Sequence, residues 1–336
     1  MIKNLKENNR PLIYNSHIIY NYLQYNVKHI IIFLIFISVI NLQSSYSQQL
    51  TNKGFDVISS SDFGCSPDAN NNIKIIKEKN PDLFLVPGDL SYKTDGNCWF
   101  NEDNPLDSIT KIAIGNHDSS EEQSQTLEQQ YENHYKLKNP FYSFNVKNVH
   151  VLVMDTQLKP TKNDAQYKFV INDLKTSSTD SKLDWIIVML HKPLYTSTSK
   201  HPPELEFRSL YHTIFDNYGV DLVIQGHNHI YERTYPLKYN PSSITNPIVS
   251  LGTNSQDLQK DYIFKNTYPI FVTVGEGGKS HYEILDHPQY IAKQDNTHFG
   301  FLNIDVTDEQ LKLTYYGIES NNQLKPLDKF IVEKSV

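Results

Sequence analysis

The sequence predicts an α/β or α+β layered domain, on three observations. Between residues 54 and 226, short apolar runs alternate with helical patterns. One run, "LDWIIVML" (183–190), is continuously apolar from Trp185 onward, as a strand buried on both faces should be. Past residue 268 the pattern turns mostly to strands.

The elements follow in order. "FDVISSS" (55–61) reads as a strand, "ANNNIKIIKEK" (69–79) as a helix and "DLFLV" (82–86) as a strand. "SITKIAIG" (108–115) ends in a strand, and "SSEEQSQTLEQQYENHYKL" (119–137), acidic in its first turn, is helical at least in part. "FYSFNV" and "VHVLVMD" (141–155) read as a hairpin, and a helix near 163–175 precedes the strand at 183–190. "PELEFRSLYHTIFDNYG" (203–219) is helical with Gly219 as its stop, and "VDLVIQG" (220–226) is a strand. The Asn-, Ser-, Pro- and Gln-rich stretch 236–267 reads as a long surface loop. "PIFVTVG", "SHYEILD" and "FGFLNIDVTDEQLKLTYYG" then read as β.

Residues 1–50 stand apart from this domain, which takes 51–336. Lys3, Lys6, Arg10 and Lys28 precede "HIIIFLIFISVINL" (29–42), about 14 residues and short for a span of about 20. That suits the core of a signal peptide, with small residues at "SYS" (45–47) for cleavage; the long polar leader leaves an uncleaved N-terminal membrane anchor open. Either way the chain is expected to be extracytoplasmic, touching a membrane only through this segment. Outside the cytoplasm the two cysteines, Cys65 and Cys98, can pair or remain small unpaired residues. No CxxC is present, which removes zinc-finger chemistry. No Asn-x-Ser/Thr sequon is present, so no N-glycan is expected. A net charge of −7 offers no global basic field, so nucleic-acid binding is not expected.

In open α/β sheets, ligands gather at the C-terminal ends of strands. Five predicted strands end, in chain order, in Asp62, in Asp89 ("GDLSY"), in Asn116-His117-Asp118 ("GNHD"), in His191, and in His227 and His229 ("GHNH"). A lone Asp or His at such a place is more often a cap or a surface residue than a ligand, but five in order are hard to explain as caps. With Tyr92, the residues Asp62, Asp89, Asn116, His191, His227 and His229 make seven N/O donors. That is more than one metal needs, and fits two metals sharing a bridging carboxylate. Glycines before Asp89, Asn116 and His227 permit tight turns that aim these side chains inward.

This series resembles the calcineurin-like metallophosphoesterases, and within them the purple acid phosphatases. The five blocks match Asp62-Phe63-Gly64, Gly88-Asp89-Leu90-Ser91-Tyr92, Gly115-Asn116-His117-Asp118, Val188-Met189-Leu190-His191 and Gly226-His227-Asn228-His229, over residues 55 to 235. The resemblance implies a four-layer αββα sandwich of two mixed sheets flanked by helices, with a dinuclear site at the strand ends. In the broad superfamily the first block is Asp-x-His and that His is a ligand; here Gly64 takes its position and Tyr92 fills the vacated place. The resemblance then implies Fe(III) on Asp62, Tyr92, His229 and bridging Asp89. It puts a divalent Fe, Zn or Mn on Asp89, Asn116, His191 and His227.

It further implies hydrolysis of small phosphate monoesters by in-line attack of a metal-activated hydroxide. His117 would bond the phosphate or protonate the leaving group, and Asp118 would hold its ring. His201, in a polar loop expected to be exposed, falls near another substrate histidine of the family or is an ordinary surface residue. Ser61, where the family has Gly, is expected to matter little. Glu232 and Arg233 would point to opposite faces of one strand and do different jobs. "GEGGKSH" (275–281) can approach the site or simply turn tightly. Two alternatives stand beside the monoesterase: a phosphodiesterase or nucleotide hydrolase with Zn or Mn at the same site, and a catalytically idle exported metal-containing binding protein. Oligomeric state is not legible.

Overall fold

The computed structural model describes residues 54–119, 125–197, 199–249, 262–265 and 268–334. The expected signal or anchor segment, 1–50, lies outside them. The chain runs through β1 (Phe55–Ser59), α1 (Pro67–Lys79), β2 (Leu83–Val86), α2 (Asn97–Asp103), β3 (Thr110–Ile112) and α3 (Gln125–His134). It continues through β4 (Tyr142–Val146), β5 (Val149–Val153), α4 (Ala165–Ser177), β6 (Trp185–Met189), α5 (Leu205–Tyr218) and β7 (Leu222–Gln225). Then come β8 (Tyr231–Thr234), β9 (Leu237–Lys238), β10 (Ile248–Val249), β11 (Tyr262–Lys265), β12 (Ile270–Val274), β13 (Ile291–Asp295), β14 (Gly300–Val306), β15 (Gln310–Ile318) and β16 (Leu324–Glu333).

All strands but β9 and β10, which pair with each other, form two seven-stranded sheets, ordered β11-β16-β15-β14-β1-β2-β3 and β13-β8-β12-β7-β6-β5-β4. β1, β2 and β3 pair in parallel, as do β5, β6, β7 and β12, so their C-terminal ends lie on one side of each sheet. The period of two along β6 explains the sandwich. Trp185, Ile187 and Met189 face a core shared with the other sheet, while Ile186, Val188 and Leu190 face α4 and α5. On the opposite outer face, Ile58, Phe84 and Ile112 pack with Ile73 and Ile76 of α1, Trp99 of α2 and Leu127 of α3. The layers are therefore helix, sheet, sheet, helix. Among the described residues no helix is long and apolar enough to cross a membrane.

Local signals set the ends. α1 starts two residues earlier than the apolar pattern suggests because Ser66 caps it, accepting from the Ala69 N–H at 3.0 Å, with Pro67 in the first turn. α5 stops at Gly219, left-handed at φ +68°. Two expectations fail. Residues 280–286 form no strand, despite their alternation; the Tyr282 N–H instead bonds the His229 carbonyl at 3.1 Å, along the strand-end site. The stretch 236–267 is not all loop, since β9 pairs with β10 and β11 extends the first sheet beside β16. The short apolar pieces Ile248–Val249 and Tyr262–Lys265 supply those strands within a polar setting.

Candidate metal centre

The ends of β1, β2, β3, β6 and β7 bring the seven expected donors together. Asp62, Asp89, His191 and His229 are almost wholly buried, and Asn116 and His227 nearly so. Asp89, His191 and His227 each present one ligand atom, all within 4.8 Å of one another. Beside them the Tyr92 hydroxyl lies 2.8 Å from His229 Nε2 and 3.0 Å from Asp62 Oδ1, with His229 Nε2 3.5 Å from that same oxygen. Metal bonds of about 2.0–2.3 Å place ligand atoms roughly 3–3.5 Å apart, so this spacing fits a coordination sphere.

Backbone geometry carries part of the load. Asp62, Asp89, Tyr92 and His227 have φ of +60°, +55°, +52° and +70°, a left-handed conformation uncommon in residues with a side chain. Such strain persists where the surroundings fix it, and it gathers at functional sites. The glycines do a different job from the one their positions suggest. Only Gly88 of the three uses a positive φ, +88°. Gly115 is needed for closeness: a Cβ there would sit 2.1 Å from Asp89 Oδ1.

Hydrogen bonds orient each donor. Asp62 anchors Oδ2 on the Ser61 hydroxyl (2.6 Å) and the His227 N–H (3.0 Å), leaving Oδ1 to face Tyr92. Ser61, expected to matter little, supplies one of these two bonds. His229 Nδ1 lies 2.8 Å from the Ser280 hydroxyl. His191 Nδ1 lies 2.7 Å from the Pro87 carbonyl, which can only accept, so that nitrogen carries the proton. Its Nε2 then faces Asn116 Oδ1 at 3.0 Å and Asp89 Oδ1 at 3.3 Å. Burial works against a charge on this ring, but Asp89 and Asp62 outweigh it and push His191 up to about 9, so Nε2 carries a proton toward these oxygens in a place a bound cation could take.

Charge points the same way. Burial, with help from Asp89, pushes the Asp62 carboxyl up to about 7. Burial acts against the Asp89 charge too, but His191 beside it outweighs this and holds Asp89 well below the usual carboxylate range. Burial keeps His227 and His229 well below the usual imidazole range, His229 at about 3, in the neutral form that binds metals. Burial and the Asp62 and Asp89 charges press the Tyr92 phenol well above its ordinary value, so only a strongly Lewis-acidic cation would displace its proton.

The neighbouring residues divide between expectation and surprise. Asp118 was expected to hold the ring of His117; its carboxylate instead accepts the backbone N–H groups of Asp89, Leu90 and Gly115 at 2.7–3.0 Å, locking two strand-end loops. His117 donates its backbone N–H to Asp89 Oδ1 (3.0 Å), and its ring lies 4.2 Å from that of Tyr92. His201 does reach the site, with its ring 3.9 Å from that of His227. Its loop is less exposed than expected: Thr196 and Ser197 are buried, held by Glu232, and Asn228 bonds both the N–H and the carbonyl of His201. Arg233 points the other way, to Asp328 at 2.6 Å, so the adjacent pair does separate jobs. The glycine-rich segment 275–281 lines the site, with the Lys279 N–H on the Asp62 carbonyl. Tyr282, unweighed in the sequence, stacks on His229 at 4.0 Å with its hydroxyl 3.2 Å from Nε2. Cys65 and Cys98 form a disulfide joining the loop after Asp62 to α2, just beyond Tyr92.

The model of the calcineurin-like phosphoesterase family matches residues 55–231, more than half of the chain and all five strand ends. This chain belongs to the calcineurin-like phosphoesterase family. Among its relatives, a phosphoenolpyruvate phosphatase of Allium cepa is 31% identical over 198 residues, 57% of this chain and 38% of that protein. Purple acid phosphatase 21 of Arabidopsis thaliana is 26% identical over 220 residues, 60% of this chain and 45% of the relative. The chain thus spans less than half the length of these curated relatives. A purple acid phosphatase from yellow lupin seeds, PPD1, has the same fold, with a TM-score of 0.67 at 22% identity over 84% of this chain and 54% of that one. The matched region carries all five sequence blocks on strand ends, and the structure draws Asp89, His191 and His227 of them into one buried cluster.

Proposed function

We propose that this phosphoesterase is an exported hydrolase of phosphate monoesters, of purple acid phosphatase type, with two metals at the strand-end cluster. One observation carries the reading: the hydroxyl of Tyr92 converges with His229 Nε2 and Asp62 Oδ1, next to the Asp89, His191 and His227 cluster. Asp62, Tyr92 and His229 would hold Fe(III), Asn116, His191 and His227 a divalent Fe, Zn or Mn, and Asp89 would bridge them. Bound there, the metals would supply Lewis acidity and a water made nucleophilic near neutral pH.

The chain's own residues would do the rest. His117 is held by its backbone on Asp89 with its ring against Tyr92, which leaves the imidazole beside the cluster to give a proton to the leaving oxygen. His201, clamped by Asn228 at its N–H and its carbonyl, would bond a phosphate oxygen from the opposite side, over His227. Asp118 would keep the Asp89 and Asn116 loops in register. Export is supported by the basic leader and apolar run of residues 1–42 and by the Cys65–Cys98 disulfide, which suits an oxidising compartment.

The test is a visible spectrum, metal analysis and aryl-phosphate assay on the full chain produced where disulfides form. A violet protein with two metals, one of them iron, and activity lost to chelator is the expected result. A colourless, active protein with two zinc or manganese ions would move it to the diesterase relatives. Metal without turnover of phosphate mono- or diesters would leave an idle binding protein.

A further inference from the structure

Two exposed lysines, Lys200 and Lys279, flank the strand-end cluster. The Lys279 Nζ lies 4.8 Å from the centre of the Tyr92 ring. The Lys200 Nζ lies 4.8 Å from the centre of the Tyr282 ring and 3.5 Å from its hydroxyl. The hydroxyls of these two tyrosines converge on one atom, His229 Nε2, at 2.8 and 3.2 Å. Each ammonium group is therefore one aromatic ring away from that nitrogen. The backbone of the site anchors both stems. The Lys279 N–H donates to the Asp62 carbonyl at 3.0 Å, and Lys200 precedes His201, whose N–H and carbonyl are both held by Asn228. Gly64 makes the room. A Cβ there would come within 2.7 Å of Lys279 Cδ, so the side chain missing at 64 is what lets the lysine stem lie against Tyr92.

These charges are not spent on protein carboxylates. Among the described residues the lysine ion pairs are Lys325–Glu319 and Lys334–Asp221, and no carboxylate lies within ion-pair distance of Lys200 or Lys279. A ring face in contact with water holds an ammonium only weakly, so an arriving anion can draw it away. The chain as a whole carries −7, which repels a substrate with extra negative charge unless positive charge stands at the mouth of the site. We propose that Lys200 and Lys279 form a rim that selects phosphate esters carrying a second anionic group, a carboxylate or another phosphate, on the part that leaves. This rests on the reading of the strand-end cluster as a phosphate-ester site and names its substrate class. The scissile phosphate occupies the cluster while the two ammonium groups take the second anion. Lysine suits the task, since a compact charge with three rotatable donors on a flexible stem accepts either head group.

The experiment uses the full chain at low ionic strength. It compares kcat/KM for phenyl phosphate and 3-carboxyphenyl phosphate, and calorimetric binding of methylphosphonate and phosphonoacetate. The doubly anionic member of each pair is expected to be favoured about fivefold or more, and that ratio to drop about fivefold in Lys200→Gln/Lys279→Gln, the loss that two solvent-facing ion pairs account for. Lys147→Gln is the control. It removes an exposed ammonium that also lies 4.8 Å from a ring, that of Phe55, at the end of β1 opposite Asp62, and should leave the ratio as it is. An equal drop in Lys147→Gln would assign the preference to net charge and overturn the rim. Turnover of phenyl phosphate with no preference in the wild type, or with an undiminished preference in the double variant, would overturn the rim and leave the phosphatase standing. A binding preference that the double variant loses, without turnover of either ester, would keep the rim and overturn the phosphatase. Binding of neither phosphonate would overturn both.

Discussion

The hydroxyl of Tyr92 lies 2.8 Å from Nε2 of His229, though the two residues are 137 positions apart in the chain. A tyrosine held this close to a neutral imidazole and to Asp62 has its polar end committed to the site rather than to packing. Tyr92→Phe removes only that oxygen. The variant is expected to fold, retain the divalent metal and lose the iron charge-transfer colour. A violet Tyr92→Phe protein would mean that Tyr92 is not the iron ligand.

His117 gives its backbone N–H to Asp89, and that bond survives truncation of the ring. His117→Ala should therefore keep its metal content while kcat falls by roughly 10²-fold or more, the usual loss for a positioned acid. Metal analysis beside the assay separates the roles: loss of both metals would make His117 a ligand.

The strand-end blocks were legible because each lies within a few residues of the end of an apolar run, so local sequence fixes both element and position. That logic fails for residues that arrive from elsewhere. Ser280 and Tyr282 reach His229 from a segment some fifty residues downstream, and the alternation of 280–286 imitates a strand. Asp118 was read by its neighbour in the chain, His117, whereas its partners are backbone groups of the loop 28 residues earlier. The fold followed the same rule: periods along β6 and α5 were readable, but the joining of β11 to β16 depends on a pairing that no local pattern states.

Ser61 is a testable departure from the family pattern. Its hydroxyl sits 2.6 Å from Asp62 Oδ2 and helps keep Oδ1 turned toward Tyr92. Partners that orient a metal ligand are typically worth 10–100-fold in metal affinity. Ser61→Ala should weaken iron retention about tenfold, read by competition with a chelator, and leave the divalent site nearly unchanged. Equal retention of iron by the variant would show that the His227 N–H orients Asp62 unaided.

The Cys65–Cys98 bond closes a loop over 33 positions, and the loop contains both Asp89 and Tyr92. Closing a loop of that length restrains the unfolded chain by about 3–4 kcal/mol in the entropic model. The double variant Cys65→Ser/Cys98→Ser should melt roughly 5–7 °C lower. Calorimetry of oxidised wild type against the variant checks this, and an unchanged Tm would mean that packing of Trp99 and Phe63 in the same cluster already sets the loop.

Asp103 supplies a pH test away from the strand-end cluster. It is wholly buried on α2, accepting the Thr110 hydroxyl at 2.9 Å and the Tyr135 hydroxyl at 2.8 Å, and burial pushes its carboxyl up to about 6. The unfolded chain would hold that proton with a pKa of about 3.9. The folded value is the higher one, so this group favours folding most below about pH 4, and the advantage is lost as pH rises through 6. The difference amounts to at most about 3 kcal/mol. Asn offers the same shape, with an oxygen for Thr110 and an amide for Tyr135, and never ionises. Asp103→Asn should therefore raise Tm relative to wild type at pH 7.5 and give no gain at pH 4.5. The same Tm difference at both values would mean that Asp103 is not held protonated by its surroundings.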